Sequence, residues 1–184
     1  QKIFLSVGLF LVLNILLASN SKKYFLSENE KKFLTNLRIT PANFWLKAND
    51  FSAEMSDGSR VRLKDFHGRF VLLNFWATWC YPCLKEMPDL EKVYQSMGEE
   101  NLVILAVAMG ESVERIRLFS KKNNFSFPLL SDEDMEITKL YGVKNIPVTY
   151  LIDPEGIVLG RALGIRNWSS PELMVFIKSR LDKI

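Results

Sequence analysis

Histidine and cysteine are almost absent from this chain. Its 184 residues hold one histidine, His67, and two cysteines, Cys80 and Cys83. Metal centres draw on three or four such ligands, so a zinc site would be poorly served here, and no metal or other cofactor is expected. Covalent haem wants a histidine directly after the second cysteine, and Leu84 stands there. An excess of one charge is missing too. The net charge is +3, with Lys and Arg scattered among the acids, so the basic stripe of a nucleic-acid-binding surface is lacking. No internal repeat or low-complexity tract is present, which sets aside a repeat architecture.

Long apolar runs are also few. Ile3 to Ala18 is apolar except for Ser6, Gly8 and Asn14; as a helix it would span about 24 Å, short of the ~30 Å hydrocarbon core. Residues 1–21 therefore read as a signal anchor or signal peptide, the anchor preferred, and either sends the rest out of the cytoplasm. Residues 22–40, rich in Lys, Glu, Asn and Ser with a few apolar residues such as Phe33, Leu34 and Leu37, read as a polar linker with one amphipathic turn or two. Pro41 marks the expected start of one domain, residues 41–184. With 48% apolar residues, a core can form without disulfide staples.

What is present is concentrated around the two cysteines. Phe70-Val71-Leu72-Leu73 reads as a buried strand. Leu84, Met87, Leu90, Val93, Tyr94 and Met97 recur at helical spacing. Cys80 therefore falls at a strand-to-helix junction, where unpaired N–H groups and the helix dipole favour an anion. A thiol of pKa near 8.5 is only about 3% thiolate at pH 7, and about half thiolate if the pKa falls to ~7. As a staple, a disulfide closing so short a loop would restrict the unfolded chain by roughly 2 kcal/mol, against about 4.7 for a 100-residue loop. Redox chemistry is the stronger reading of the pair, with staple and metal site as the bland alternatives. Cys80, at the exposed start of the helix, would attack, and Cys83, a turn further in, would resolve. Glu86, three residues beyond Cys83, shares its helical face and, if partly buried, could take that thiol's proton.

The remaining chain alternates strand and helix patterns, which argues for an α/β sheet. Asp57-Gly58 signals a hairpin between segments holding Phe51 and Val61. Leu63 to Gly68 reads as one helical turn, with His67 a solvated loop residue. Leu102 to Ala108 is a central strand, and Glu111 to Lys122 carries Val113, Ile116, Leu118 and Phe119 at near-helical spacing. A short helix is expected to begin at Ser131-Asp132-Glu133-Asp134 and end at Gly142. Two antiparallel strands flank Asp153-Pro154-Glu155-Gly156, and Pro171 to Leu181 closes the chain as a helix.

Trp79-Cys80-x-x-Cys83 after a buried strand, with Pro88 five residues on, resembles the thioredoxin superfamily. Leu73-Asn74-Phe75-Trp76-Ala77-Thr78-Trp79-Cys80 followed by Lys85-Glu86-Met87-Pro88 is similar to its TlpA/ResA branch of membrane-anchored or periplasmic thiol–disulfide oxidoreductases. The resemblance runs from about Ala42 to the C-terminus. It implies a thioredoxin-like fold with a mixed central sheet, an N-terminal hairpin and a strand-helix insertion after the active-site helix, here residues 102–130. It also implies a functional glutamate at Glu86, with Asn74 where thioredoxins keep a buried aspartate, and a cis-proline at Ile146-Pro147. Trp79, Tyr81, Pro82, Ile146 and Pro147 would then meet the client. Tyr81-Pro82 brings no positive charge between the cysteines, which favours a reductant. The implied partners are protein disulfides, apocytochrome c among them, and an upstream membrane dithiol reductant. The implied location is the periplasm or the outer face of the cytoplasmic membrane.

Two other readings compete. A peroxiredoxin-like peroxidase would want Thr and Arg around a lone cysteine, and the Cys80/Cys83 spacing argues against it. A copper-handling assembly factor would want wider cysteine spacing and a histidine ligand downstream, and none follows Cys83.

Overall fold

The computed structural model describes residues 26–44 and 46–182; the apolar run at 3–18 lies outside them. In chain order the elements are α1 (Glu28–Asn36), β1 (Thr40–Pro41), β2 (Ser52–Glu54), β3 (Arg60–Arg62), a 3₁₀ turn (Leu63–Phe66), β4 (Phe70–Trp76), α2 (Tyr81–Met97) and β5 (Leu102–Met109). There follow α3 (Val113–Lys122), β6 (Leu129–Asp132), α4 (Glu136–Leu140), β7 (Val148–Ile152), β8 (Val158–Leu163) and α5 (Pro171–Leu181).

Six strands form a mixed sheet in the order β1-β8-β7-β4-β5-β6. The β4, β5 and β6 strands run parallel, while β7, β8 and β1 are antiparallel to their neighbours. Every residue of β4 is buried, as the continuous apolar run requires of a strand covered on both faces. Its side chains alternate between two cores. Phe70, Leu72 and Trp76 pack with α2, α5 and Leu34 of α1. Val71, Leu73 and Phe75 pack with Ala53, Leu63 and Ile137 from the hairpin, the 3₁₀ turn and α4. Between them, α2 and β7 bracket the C-terminal end of β4.

Two expectations need correcting. The stretch expected as a linker over 22–40 is, from Leu26 on, packed: Leu34 is wholly buried, and Phe33 stacks on Phe176 of α5 at 5.6 Å between ring centres. A capping box at Ser27 and Glu30 starts α1, so its polar residues serve the cap and the solvent face while the apolar ones face in. Ser131 and Asp132 end β6, and α4 begins only at Glu136. Asp132 still acts as a cap, accepting from the backbone N–H groups of Ile137 at 2.9 Å and Thr138 at 2.8 Å, but across a turn at Met135. Leu118 faces solvent, and Ile116 is the residue of α3 that is fully buried.

Candidate active site

The end of β4 delivers Ala77-Thr78-Trp79 to the start of α2. Cys80 is the N-cap of that helix, and its Sγ accepts from the Cys83 backbone N–H at 3.3 Å. An N-cap residue takes one of the helix's unpaired donors; here the acceptor is sulfur, and an N–H aimed at sulfur favours its thiolate. Pro82 sits in the first turn, where no donor is lost. The sulfurs are joined, at 2.08 Å, with Cα atoms 5.3 Å apart, so this is the oxidised form. Cys80 is expected to be exposed, and it is not: only 4% of it is accessible. Its bond draws the sulfur toward Cys83, which faces inward, and the accessible surface belongs to Trp79 and Tyr81 on either side, 64% and 67% exposed. The Lys85 ammonium lies over the Tyr81 ring, 4.6 Å from its centre. Trp76, the last residue of β4, is fully buried against Phe119.

Glu86 follows Cys83 on the inward face of α2 and is buried. Its Oε1 accepts from Asn74 Nδ2 at 2.9 Å, and its Oε2 accepts from Trp168 Nε1 at 3.2 Å and the Arg166 backbone N–H at 3.3 Å. The other Asn74 amide hydrogen goes to Thr149 Oγ1 at 2.9 Å. Burial pushes the carboxyl up to about 7, against the pull of these donors and of the Arg166 guanidinium. A carboxyl poised there can hold or release a proton at neutral pH.

The Ile146-Pro147 bond is cis. Val148 pairs with Phe75, which places Pro147 at the same end of the sheet as Cys80. The Pro147 carbonyl accepts from Gly164 N–H at 2.8 Å, so the loop after β8 also gathers here. His67, by contrast, is exposed beside Gly156 at the other end of β4. Among the described residues, no group of three or more His, Cys, Asp and Glu could hold a metal ion.

Several residues of this neighbourhood carry no signal in the sequence. Arg166 and Trp168 arrive from the β8–α5 loop, some 80 residues past Glu86. Glu111, buried at the end of β5, accepts from the Thr78 backbone N–H at 2.9 Å, bonds Thr78 Oγ1 at 2.5 Å and pairs with Arg115 Nε at 2.8 Å. It ties the segment just before Cys80 to α3. Only the pairing of β5 beside β4 brings Glu111 to Thr78.

A Cys-x-x-Cys disulfide at a helix N-terminus and a cis-proline opposite it, on a mixed sheet of this order, define the class: thioredoxin-like proteins with an active-site disulfide. The chain belongs to the AhpC/TSA family, whose model matches residues 46–161, and it is a homologue of ResA. It is 39% identical over 112 residues to the thiol-disulfide oxidoreductase ResA of Bacillus subtilis (strain 168), covering 61% of this chain and 63% of that one, a little under two thirds of the relative's length. With ResA of Bacillus thuringiensis subsp. konkukian it shares 38% over 118 residues, 64% and 68% of the two chains. Among solved structures, a protein assigned as the thiol:disulfide interchange protein DsbE from Chlorobium tepidum superposes with a TM-score of 0.67 at 30% identity, covering 74% of this chain and 96% of that one. The exposed lipoprotein thioredoxin Etrx1 of Streptococcus pneumoniae gives 0.59 at 29% identity, covering 74% and 100%.

Proposed function

We propose that this protein is a thiol–disulfide oxidoreductase that reduces disulfides in exported proteins. The observation that carries the reading is the Cys80–Cys83 disulfide at the N-terminus of α2, with the Cys83 N–H on the Cys80 sulfur. In the reduced protein the Cys80 thiolate attacks one sulfur of the client's disulfide. A Cys80–client bond forms, the client's bond breaks, and its other sulfur leaves as a thiolate that takes up a proton. Cys83 then gives its proton to Glu86 and attacks Cys80; the Cys80–Cys83 bond forms and the second client thiolate is released. Two electrons pass from the protein to the client, and an upstream dithiol must return them.

Clients would meet Trp79, Tyr81 and Pro82 on one side and Ile146-Pro147 on the other. Tyr81-Pro82 puts no cation between the cysteines to stabilise the reduced thiolate, which favours reduction over oxidation. An extracytoplasmic site of action, with apocytochrome c as a client and a membrane dithiol as reductant, is the finer reading. It draws on the resemblance to the TlpA/ResA branch and on the apolar run at 3–18.

The test is a trap and a potential. Cys83→Ser, reduced and mixed with a disulfide peptide carrying Cys-x-x-Cys-His, should accumulate a mixed disulfide on Cys80. The wild-type couple should have a potential well below the about −120 mV of strong oxidants. No adduct, or a potential near that value, overturns the proposal or its direction. A peroxidase reading has one observation in its favour, because Arg115 Nε reaches Thr78 Oγ1 at 3.0 Å. Both, however, are engaged by the Glu111 carboxylate, and Cys80 is paired. Peroxide consumption faster than disulfide exchange would restore that reading.

A further inference from the structure

A carboxylate offers about four lone-pair positions to donors. Three of those on Glu86 are filled: one on Oε1 by Asn74 Nδ2, and both on Oε2, by Trp168 Nε1 and the Arg166 backbone N–H. The groups at Oε2 are donors only, so a proton on that oxygen would face two other hydrogens. A single position remains, the second one on Oε1. The Arg166 N–H is itself held in place, because its guanidinium donates to the carbonyls of Leu163, Gly164, Ile165 and Arg38 at 2.6–3.2 Å.

We propose that Trp168 is a positioning residue for Glu86: together with Asn74 and the Arg166 N–H it leaves the carboxylate one seat for a proton, on Oε1, and it sets the pH at which that seat fills. The inference rests on the reading above, in which Glu86 takes its proton from Cys83, and extends it to a residue of the far loop. Trp168 is 2% exposed and wholly inside the core, so its N–H has no water to return to if Glu86 turns away. Other groups facing Glu86 are few. The cysteines come from its own helix, the Arg166 guanidinium comes from the loop after β8, and β4 and β7 present the neutral Asn74 and Thr149. The indole donor binds Oε2 more strongly as carboxylate than as the carbonyl oxygen of the neutral acid, so removing it raises the Glu86 midpoint.

The test is made on the full chain with Trp168→Phe. The Glu86 side-chain carboxyl is titrated by carbon NMR in the oxidised protein, and the pH profile of client release by Cys83 is measured separately. The midpoint should rise by about one pH unit, and the release limb should move up with it. In a Glu86→Gln background the same substitution should leave the release profile unmoved. If Phe at 168 does not fold, 3-benzothienylalanine there keeps the ring system and lacks only the N–H. An unmoved NMR midpoint overturns the proposal, and so does an equal loss of exchange with and without Glu86. A midpoint that moves while the release limb stays fixed supports the seat and overturns Glu86's part in the exchange, so the two failures are distinct.

Discussion

Glu86 couples the stability of the oxidised protein to pH, and the sign follows from its titration. Its carboxyl is raised from 4.5 to about 7 by burial. Between those values the folded protein holds a proton that the unfolded chain has lost, so unfolding free energy falls as pH rises and the loss is complete above about 7. At full extent that is on the order of 3 kcal/mol. Asp153, also raised by burial, acts in the same direction. Glu30, Asp50 and Asp57, each lowered by hydrogen bonds and neighbouring cations, act in the acid range with the opposite sign. Comparing wild type with Glu86→Gln cancels those other groups. A glutamine there keeps an acceptor oxygen for Trp168 and Arg166, and with the Asn74 amide turned over its NH2 can donate to the Asn74 Oδ1, which has no partner among the described residues. Between pH 5 and pH 8 the Gln variant should gain roughly 1–3 kcal/mol over wild type in urea unfolding. Parallel pH curves for the two proteins would mean that Glu86 is not the buried titrating acid.

At the scale of elements, the loop from β4 to α2 is held from two sides, by the helix it caps and by Glu111. Removing that buried carboxylate strands the Thr78 N–H and leaves Arg115 to solvent. Glu111→Ala should cost roughly 1–3 kcal/mol and speed hydrogen exchange at the Thr78 amide; protection as in wild type would show that the loop is fixed by α2 alone. Elements with a periodic or capped signature are legible in the amino-acid order itself: β4 from its apolar run, α2 from its spacing, and α5 from Pro171 at its first turn. Glu86 is legible as well, because i and i+3 on a helix share a face. Local cap chemistry points to a start for α4 that is too early, since Asp132 caps it across a turn rather than from the adjacent position. Glu111, Arg166 and Trp168 are out of reach for a different reason. Each meets the site only through strand pairing or loop return, and no local pattern of residues encodes that meeting.

At the scale of the whole molecule, the described fold is closed by its first and last helices. Along one side of the sheet, α1 lies against α5: Phe33 stacks on Phe176, and Arg180 reaches Glu30 at 3.0 Å and Asp153 at 3.7 Å. Next to it, β1 approaches β8 so closely that a Cβ on Gly160 would come within 2.8 Å of the Ile39 side chain and of the Thr40 carbonyl. Only glycine lets the two strands meet there. Residues 26–40 are thus part of the core, and Leu34, fully buried, measures how much they contribute. Leu34→Ala removes packed methyl groups from a site walled by two helices and should cost about 2–5 kcal/mol. The hydrogen bond on the Cys80 sulfur comes from Cys83 within α2 rather than from this seam, so the potential of the Cys80–Cys83 couple should be unchanged. Urea unfolding and redox equilibration on the same variant separate the two quantities. A loss below about 0.5 kcal/mol, the range of an ordinary surface substitution, would return residues 26–40 to the status of a linker. A shifted potential would instead show that the seam between α1 and α5 reaches the redox site.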